Sequence, residues 1–246
     1  MRVDNEVMVV LGRAETLGNA LTLTGKLDRN LYTKTNKVLE AAGGKWDRKS
    51  KAHIFADDAS DRIGQIILTG EIDIPKDEFE FFPTPKDVVE RLLELAEIFP
   101  GQKVLEPSAG RGAIAFACAD AGGVVNCIEL MEANYTFLAS DNRLNSVRNM
   151  DFMAQAPEAS YDRVVMNPPF SKQQDIKHVN HALKFLKPDG LLVSVMSASV
   201  IFRENALTKE FRDLVHSRNG LIEKLPEAAF KQSGTMVNTV IVMIPA

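Results

Sequence analysis

Val104-Leu105-Glu106-Pro107-Ser108-Ala109-Gly110-Arg111-Gly112-Ala113-Ile114-Ala115 carries a short apolar strand into a Gly-x-Gly turn and then into a helix. Glycines let the backbone come close to a ligand, and the first turn of the helix offers free N–H groups. Gly-x-Gly alone also fits dinucleotide enzymes or a plain tight turn. Two departures redirect it. Ala115 stands where a third glycine of Gly-x-Gly-x-x-Gly belongs, and the strand ends on an acid, Glu106. An acid there suits a cationic ammonium group better than a pyrophosphate.

Outward from this turn the pattern alternates. Residues 85–99 read as a helix with Val88, Val89, Leu92, Leu93 and Ala96 on one stripe. Strands follow at 103–106, 124–130, 161–166, 191–197, 221–225 and 237–244, with helices at 113–121, 134–145, 176–186 and 204–216 between them. Strands separated by helices predict an α/β fold, a doubly wound, mostly parallel sheet covered on both faces. In such sheets ligands sit beyond the carboxyl ends of the strands.

Residues 70–85 carry three prolines, no helical period and an acidic bias, which predicts an extended connector and a domain boundary at residue 76. Residues 1–75 read as a small α/β unit. Val7–Leu11 and Ala20–Leu23 are expected strands, Asp28–Ala42 a helix stopped by Gly43-Gly44, 45–49 a hairpin arm leading into 53–55, and Asp58–Leu68 a second helix.

Composition narrows the class. The 246 residues are 45% hydrophobic and 25% charged, as in an ordinary globular chain, with a formal net charge of −4 that excludes bulk polycationic grip on nucleic acid. A local patch remains sufficient for such a substrate. The first 75 residues are neutral, with 11 Lys/Arg against 11 Asp/Glu. Cys118 and Cys127 lie in apolar surroundings and are expected as reduced core residues, and no Cys or His pair has zinc spacing, so no metal site is expected. Met1–Glu6 has no signal-peptide pattern and no apolar run reaches the roughly 20 residues of a membrane span, so a cytoplasmic location is expected.

Two more strand ends carry unusual residues. Glu129, 23 residues after Glu106 and followed by Leu130, is placed to accept hydrogen bonds from ribose hydroxyls. Asn167-Pro168-Pro169-Phe170 follows the strand Tyr161–Met166 directly. Two prolines fix a stiff loop. The Asn167 side-chain carbonyl and the Pro168 backbone carbonyl can both accept from an exocyclic amine, and Phe170 can stack on the ring that bears it. An amine so held is steered toward tetrahedral geometry, which frees its lone pair for an electrophile.

On these residues, segment 81–246 resembles the class I S-adenosylmethionine-dependent methyltransferases, specifically the DNA adenine-N6 type. Phe82-Pro-Thr84-Pro85 is similar to that family's leading motif, Leu105–Gly112 to its glycine-rich cofactor loop, Asp151-Phe152 to its third cofactor motif, and Asn167-Pro-Pro-Phe170 to its catalytic motif. The resemblance implies a seven-stranded Rossmann-like sheet and S-adenosyl-L-methionine as cofactor. It implies Thr84 at the methionine carboxylate, Glu106, Ser108, Gly110 and Gly112 around the methionine end, and Glu129 and Leu130 at the ribose. It also places Asp151 on the adenine amine with Phe152 beside the ring, and Asn167 next to both cofactor and target. Ala229–Thr235 resembles a loop whose aromatic, here Phe230, packs against an extruded base; the other reading of Phe230 is a core residue.

No long target-recognition segment follows the last strand. The candidate for that task is residues 1–75, where Lys45, Arg48, Lys49 and Lys51 surround Trp46. Either these cations and the ring contact nucleic acid, or Trp46 plugs a small core under a solvated hairpin. The expected substrate is nucleic acid, DNA ahead of RNA. The alternatives are ribosomal-RNA methyltransferases acting on guanine N2 or adenine N6, and a silent S-adenosylmethionine-binding interaction protein. Phe170 argues against protein glutamine methyltransferases, which carry Tyr there.

Overall fold

The computed structural model describes residues 2–56, 58–72, 83–227, 229–230 and 237–246. The predicted boundary at residue 76 and Phe82 of the leading motif lie outside them.

The amino-terminal part runs α1 (Asn5–Arg13), β1 (Glu15–Leu17), β2 (Ala20–Thr22), α2 (Arg29–Ala41), β3 (Lys45–Asp47), β4 (Ala52–Ile54) and α3 (Ala59–Thr69). Its strands pair antiparallel in the order β1-β2-β4-β3. Asp28 and Asp58 start α2 and α3 by accepting backbone N–H bonds of the first turn. The apolar run 7–11, expected as a strand, is helix α1 instead. Its Val7 and Leu11 are buried with Leu39 of α2 and Ile63 and Ile66 of α3 in one small core, so packing on two helices decides the conformation.

The larger part continues with α4 (Lys86–Ala96), β5 (Lys103–Glu106), α5 (Ala113–Asp120), β6 (Val124–Glu129), α6 (Glu132–Ala139) and β7 (Ser146–Asn149). Then come β8 (Tyr161–Met166), α7 (Gln174–Ala182), β9 (Leu186–Ser197), α8 (Ser199–Phe202), α9 (Ala206–Ser217), β10 (Leu221–Lys224) and β11 (Thr239–Pro245). The strand order is β10-β11-β9-β8-β5-β6-β7, with β11 antiparallel to both of its neighbours and the remaining pairs parallel. This is the Rossmann-like methyltransferase sheet that the motifs imply. The seventh strand is β7, where the sequence pattern gave only the end of a helix and a loop; the helix stops at Ala139.

Period-two side chains sort the core into two layers. Val164, Met166, Leu192, Met196, Val240 and Val242 face α7 and α9, packing on Ile176, Val179, Phe211 and Val215. Val165, Val193, Val195 and Ile241 face the opposite way, onto Val88 and Leu92 of α4 and Ile114 of α5. Cys118 and Cys127 belong to this second layer, both free thiols, and burial pushes both thiols up from their ordinary pKa. Among the described residues no helix is long and apolar enough to cross a membrane.

β5 pairs with β6 on one side and β8 on the other, so the winding direction reverses between β5 and β8. That switch point is where a crevice opens beyond the strand ends. One buried acid braces the loop there. Asp175 of α7 accepts from the Ser197 amide at the end of β9 (3.1 Å), and burial pushes its carboxyl up to about 7 although Arg203 pulls the other way. Between about pH 4 and 7 the native state therefore binds a proton that the unfolded chain has released, and this group's contribution falls as pH rises. Asp175→Asn, which keeps the neutral form of the side chain, is expected to gain stability relative to wild type from about pH 4 to pH 7 and no further above that in thermal melts; a pH-independent difference overturns this assignment.

Candidate active site

At the switch point lies a cavity of about 440 Å³ lined by Thr84, Glu106, Ser108, Gly110, Glu129, Leu130, Asp151, Phe152 and all four residues 167–170. Residues from five separate stretches of sequence thus meet in one place. Gly112 does not line it. It starts α5 with φ 81°, and a Cβ there would stand 2.6 Å from the Phe116 ring, so glycine shapes the turn rather than the wall.

Glu129 holds the loop. Its Oε2 accepts from the Gly110 amide and its Oε1 from the Met131 amide, both at 2.7 Å. Gly110 itself has φ 55°. The Ala115 amide in the first turn of α5 donates to Glu106, which is 2% exposed, yet Glu106 Oε2 is buried with no partner among the described residues. Burial pushes this carboxyl well above its usual value, and the nearby Glu129 adds to the shift. A buried carboxylate oxygen without a donor is costly, and a cationic donor would relieve it. The residues present therefore fit the methionine ammonium of S-adenosylmethionine.

Across the cavity, Asn167 Nδ2 donates to Thr84 Oγ1 at 3.1 Å, while Asn167 Oδ1 is buried without a partner among the described residues. Thr84, expected at a carboxylate, thus also touches Asn167; its hydroxyl hydrogen remains for a second acceptor. Asp151 Oδ1 accepts from the Met153 amide and caps a short turn that carries Phe152. Phe152 lines the cavity from below, in a ring cluster with His178, His181 and Phe185.

Two expectations are corrected. Phe230 is 1% exposed, packed in the layer under α4, and does not line the cavity, so it is the core residue rather than the aromatic facing a target. The rest of its loop, 231–236, lies outside the described residues. Trp46 is 48% exposed rather than plugging a core. It lies on the edge strand β3 with its ring 5.0 Å from that of His53, with Lys45, Arg48 and Lys49 exposed around it and none of the four in the cavity. Gln174, Lys177 and His178 also line the cavity and were missed. Their i, i+3, i+4 spacing directly after residue 170 was the available signal.

Residues 88–220 match the family described as methyltransferase small domain. A modification subunit assigned to a type I restriction enzyme of Vibrio vulnificus is similar in structure, with TM-score 0.56 and 12% identity over 84% of this chain and 60% of that one. An assigned RNA methyltransferase of Pyrococcus horikoshii gives TM-score 0.51 and 21% identity over 71% and 91%. A dimethyladenosine transferase of Plasmodium falciparum gives 0.50 and 16% over 68% and 64%. At these identities the likeness shows the fold. No curated protein matches the chain.

Proposed function

We propose that this chain, which belongs to the methyltransferase small-domain family and takes S-adenosylmethionine as cofactor, methylates an exocyclic amine of a nucleic-acid base, adenine N6 in DNA. The observation that carries this is the buried, unpartnered Oδ1 of Asn167, at the start of Asn-Pro-Pro-Phe and in the same cavity as the unpartnered Oε2 of Glu106. Bound there, S-adenosylmethionine supplies a methyl group on a sulfonium, an electrophile that needs only an amine lone pair.

Glu106 Oε2 receives the methionine ammonium, Glu129 the ribose hydroxyls and Asp151 the adenine amine. Leu130 and Phe152 flank the adenosine, while Ser108 and Gly110 shape the loop at the methionine end. On the target side, Asn167 Oδ1 and the Pro168 carbonyl accept the two amine hydrogens, and Phe170 stacks on the ring. Holding both hydrogens would bend the amine out of the ring plane and free its lone pair; as the N–C bond forms, the sulfonium S–C bond would break to leave the neutral thioether, and one of the two held hydrogens would leave the nitrogen as a proton. A cavity of this size below the strand ends requires the base to leave its stack or to come from a single strand. Labelled cofactor offered with DNA, RNA and protein tests the reading: N6-methyladenine in DNA is expected, and label confined to RNA or protein overturns it.

The exposed hairpin of β3 supplies the cations for backbone contact in this reading. Arg48→Glu with Lys49→Glu is expected to weaken DNA binding and to lower the slope of log affinity against log salt by about 2. Unchanged affinity and slope in a titration over salt would remove the hairpin from the interface.

A further inference from the structure

Two loops at the carboxyl ends of the large sheet rest directly on the amino-terminal part. After β9, the Glu204 amide donates to the Gly12 carbonyl at the end of α1 (3.0 Å), and Phe202 lies so close that a Cβ on Gly12 would stand 2.8 Å from its ring. After β8, Phe170 packs against the core layer under α4 and also against Leu68 of α3 and Val237, which form a small separate cluster. Two residues further on, Lys172 Nζ is 2.8 Å from Asp61 Oδ2, again on α3. Lys172 and Gln173 have φ 52° and 57°. Side-chain-bearing residues rarely hold that left-handed turn unless their surroundings impose it. Gln173 Oε1 is in turn gripped by Asn205 Nδ2 and Thr208 Oγ1 at the start of α9, both at 2.9 Å.

We propose that α3 is a positioning element for the aromatic of the catalytic loop: Leu68 sets the Phe170 ring, and the Asp61–Lys172 pair holds the loop behind it. This rests on the reading in which Phe170 stacks on the target base. An aromatic that must lie parallel to an incoming ring needs a fixed back face, and the large sheet does not provide all of it. Leu68 is 6% exposed and Val237 1%, so the contact is a packed one that leaves Phe170 few alternatives. The exposed ion pair adds direction more than strength. The amino-terminal part is then a wall of the active site.

The test compares Leu68→Ala with Leu68→Met, Asp61→Asn and Val38→Ala. Val38 lies in the amino-terminal core, which does not include Leu68, and outside both clusters that Phe170 touches. Amide hydrogen exchange over residues 170–176 and the turnover number for methyl transfer are read beside the affinity for S-adenosylhomocysteine. Leu68→Ala is expected to speed exchange in that segment and to cut turnover about tenfold, with affinity within about twofold of wild type. Leu68→Met is expected to restore both. Asp61→Asn is expected to speed exchange at 172–174. Val38→Ala is expected to lower the melting temperature and leave exchange at 170–176 and turnover unchanged. Unaltered exchange in Leu68→Ala, or the same change in Val38→Ala, overturns the proposal. Absence of methyl transfer to any nucleic acid by the wild type would instead overturn the functional reading, and the exchange comparison would still decide the positioning role.

Discussion

Asn167→Ala is expected to lose methyl transfer by about 100- to 1000-fold while keeping S-adenosylhomocysteine affinity within a few fold. The rate estimate follows from removing one fixed polar partner of the reacting group in a site that excludes water. The fold should survive, because Asn167 makes one side-chain hydrogen bond, to Thr84, and its oxygen has no partner to lose among the described residues. Losing that bond costs about 1 kcal/mol. Single-turnover transfer from labelled cofactor, beside calorimetry of S-adenosylhomocysteine binding, separates chemistry from binding. A variant of normal rate would overturn the role given to Asn167.

Glu129→Ala should show the opposite separation, with cofactor affinity falling by about 100-fold or more. The carboxylate accepts from the amides of Gly110 and Met131, so its removal strips two anchors from the loop walls as well as the ribose contact. Each orphaned amide costs about 1–3 kcal/mol, and 1.4 kcal/mol is a factor of ten in affinity. Glu129→Gln keeps one acceptor oxygen and is expected to lie between. Calorimetry with S-adenosylhomocysteine reads both. If Glu129→Ala bound as tightly as wild type, the adenosine end of the site would have to be sought elsewhere in the cavity.

Where a local pattern and the tertiary surroundings agree, the sequence was legible. Strand β8 and its turn at Asn167 matched residue for residue, because the short β-branched and apolar stretch Val164–Met166 runs into two prolines that cannot donate to a strand ladder. Residues 7–11 were not legible: an unbroken apolar run fits a strand or a buried helix equally until its neighbours are known. Ser146–Asn149 hid as a strand because two of its four residues are exposed and it lies at the sheet edge, held by pairing with β6. The site fared similarly. Acids and Asn-Pro-Pro-Phe announce themselves by chemical type, whereas Leu68 is an ordinary helix residue whose importance comes only from what it touches.

The position of β11 bears on how the protein is made. β11 follows every other described strand of the sheet in chain order, yet it lies between β9 and β10, and among the described residues β10 pairs only with β11. During synthesis, β8 and β9 can zip together while one flank of β9 waits with open N–H and C=O groups over buried, apolar residues such as Val193 and Val195. Such a flank is a template for another nascent chain. The window of aggregation risk therefore closes only when residues 239–245 emerge, and a ribosome stalled before them would release a chain with a sticky interior edge.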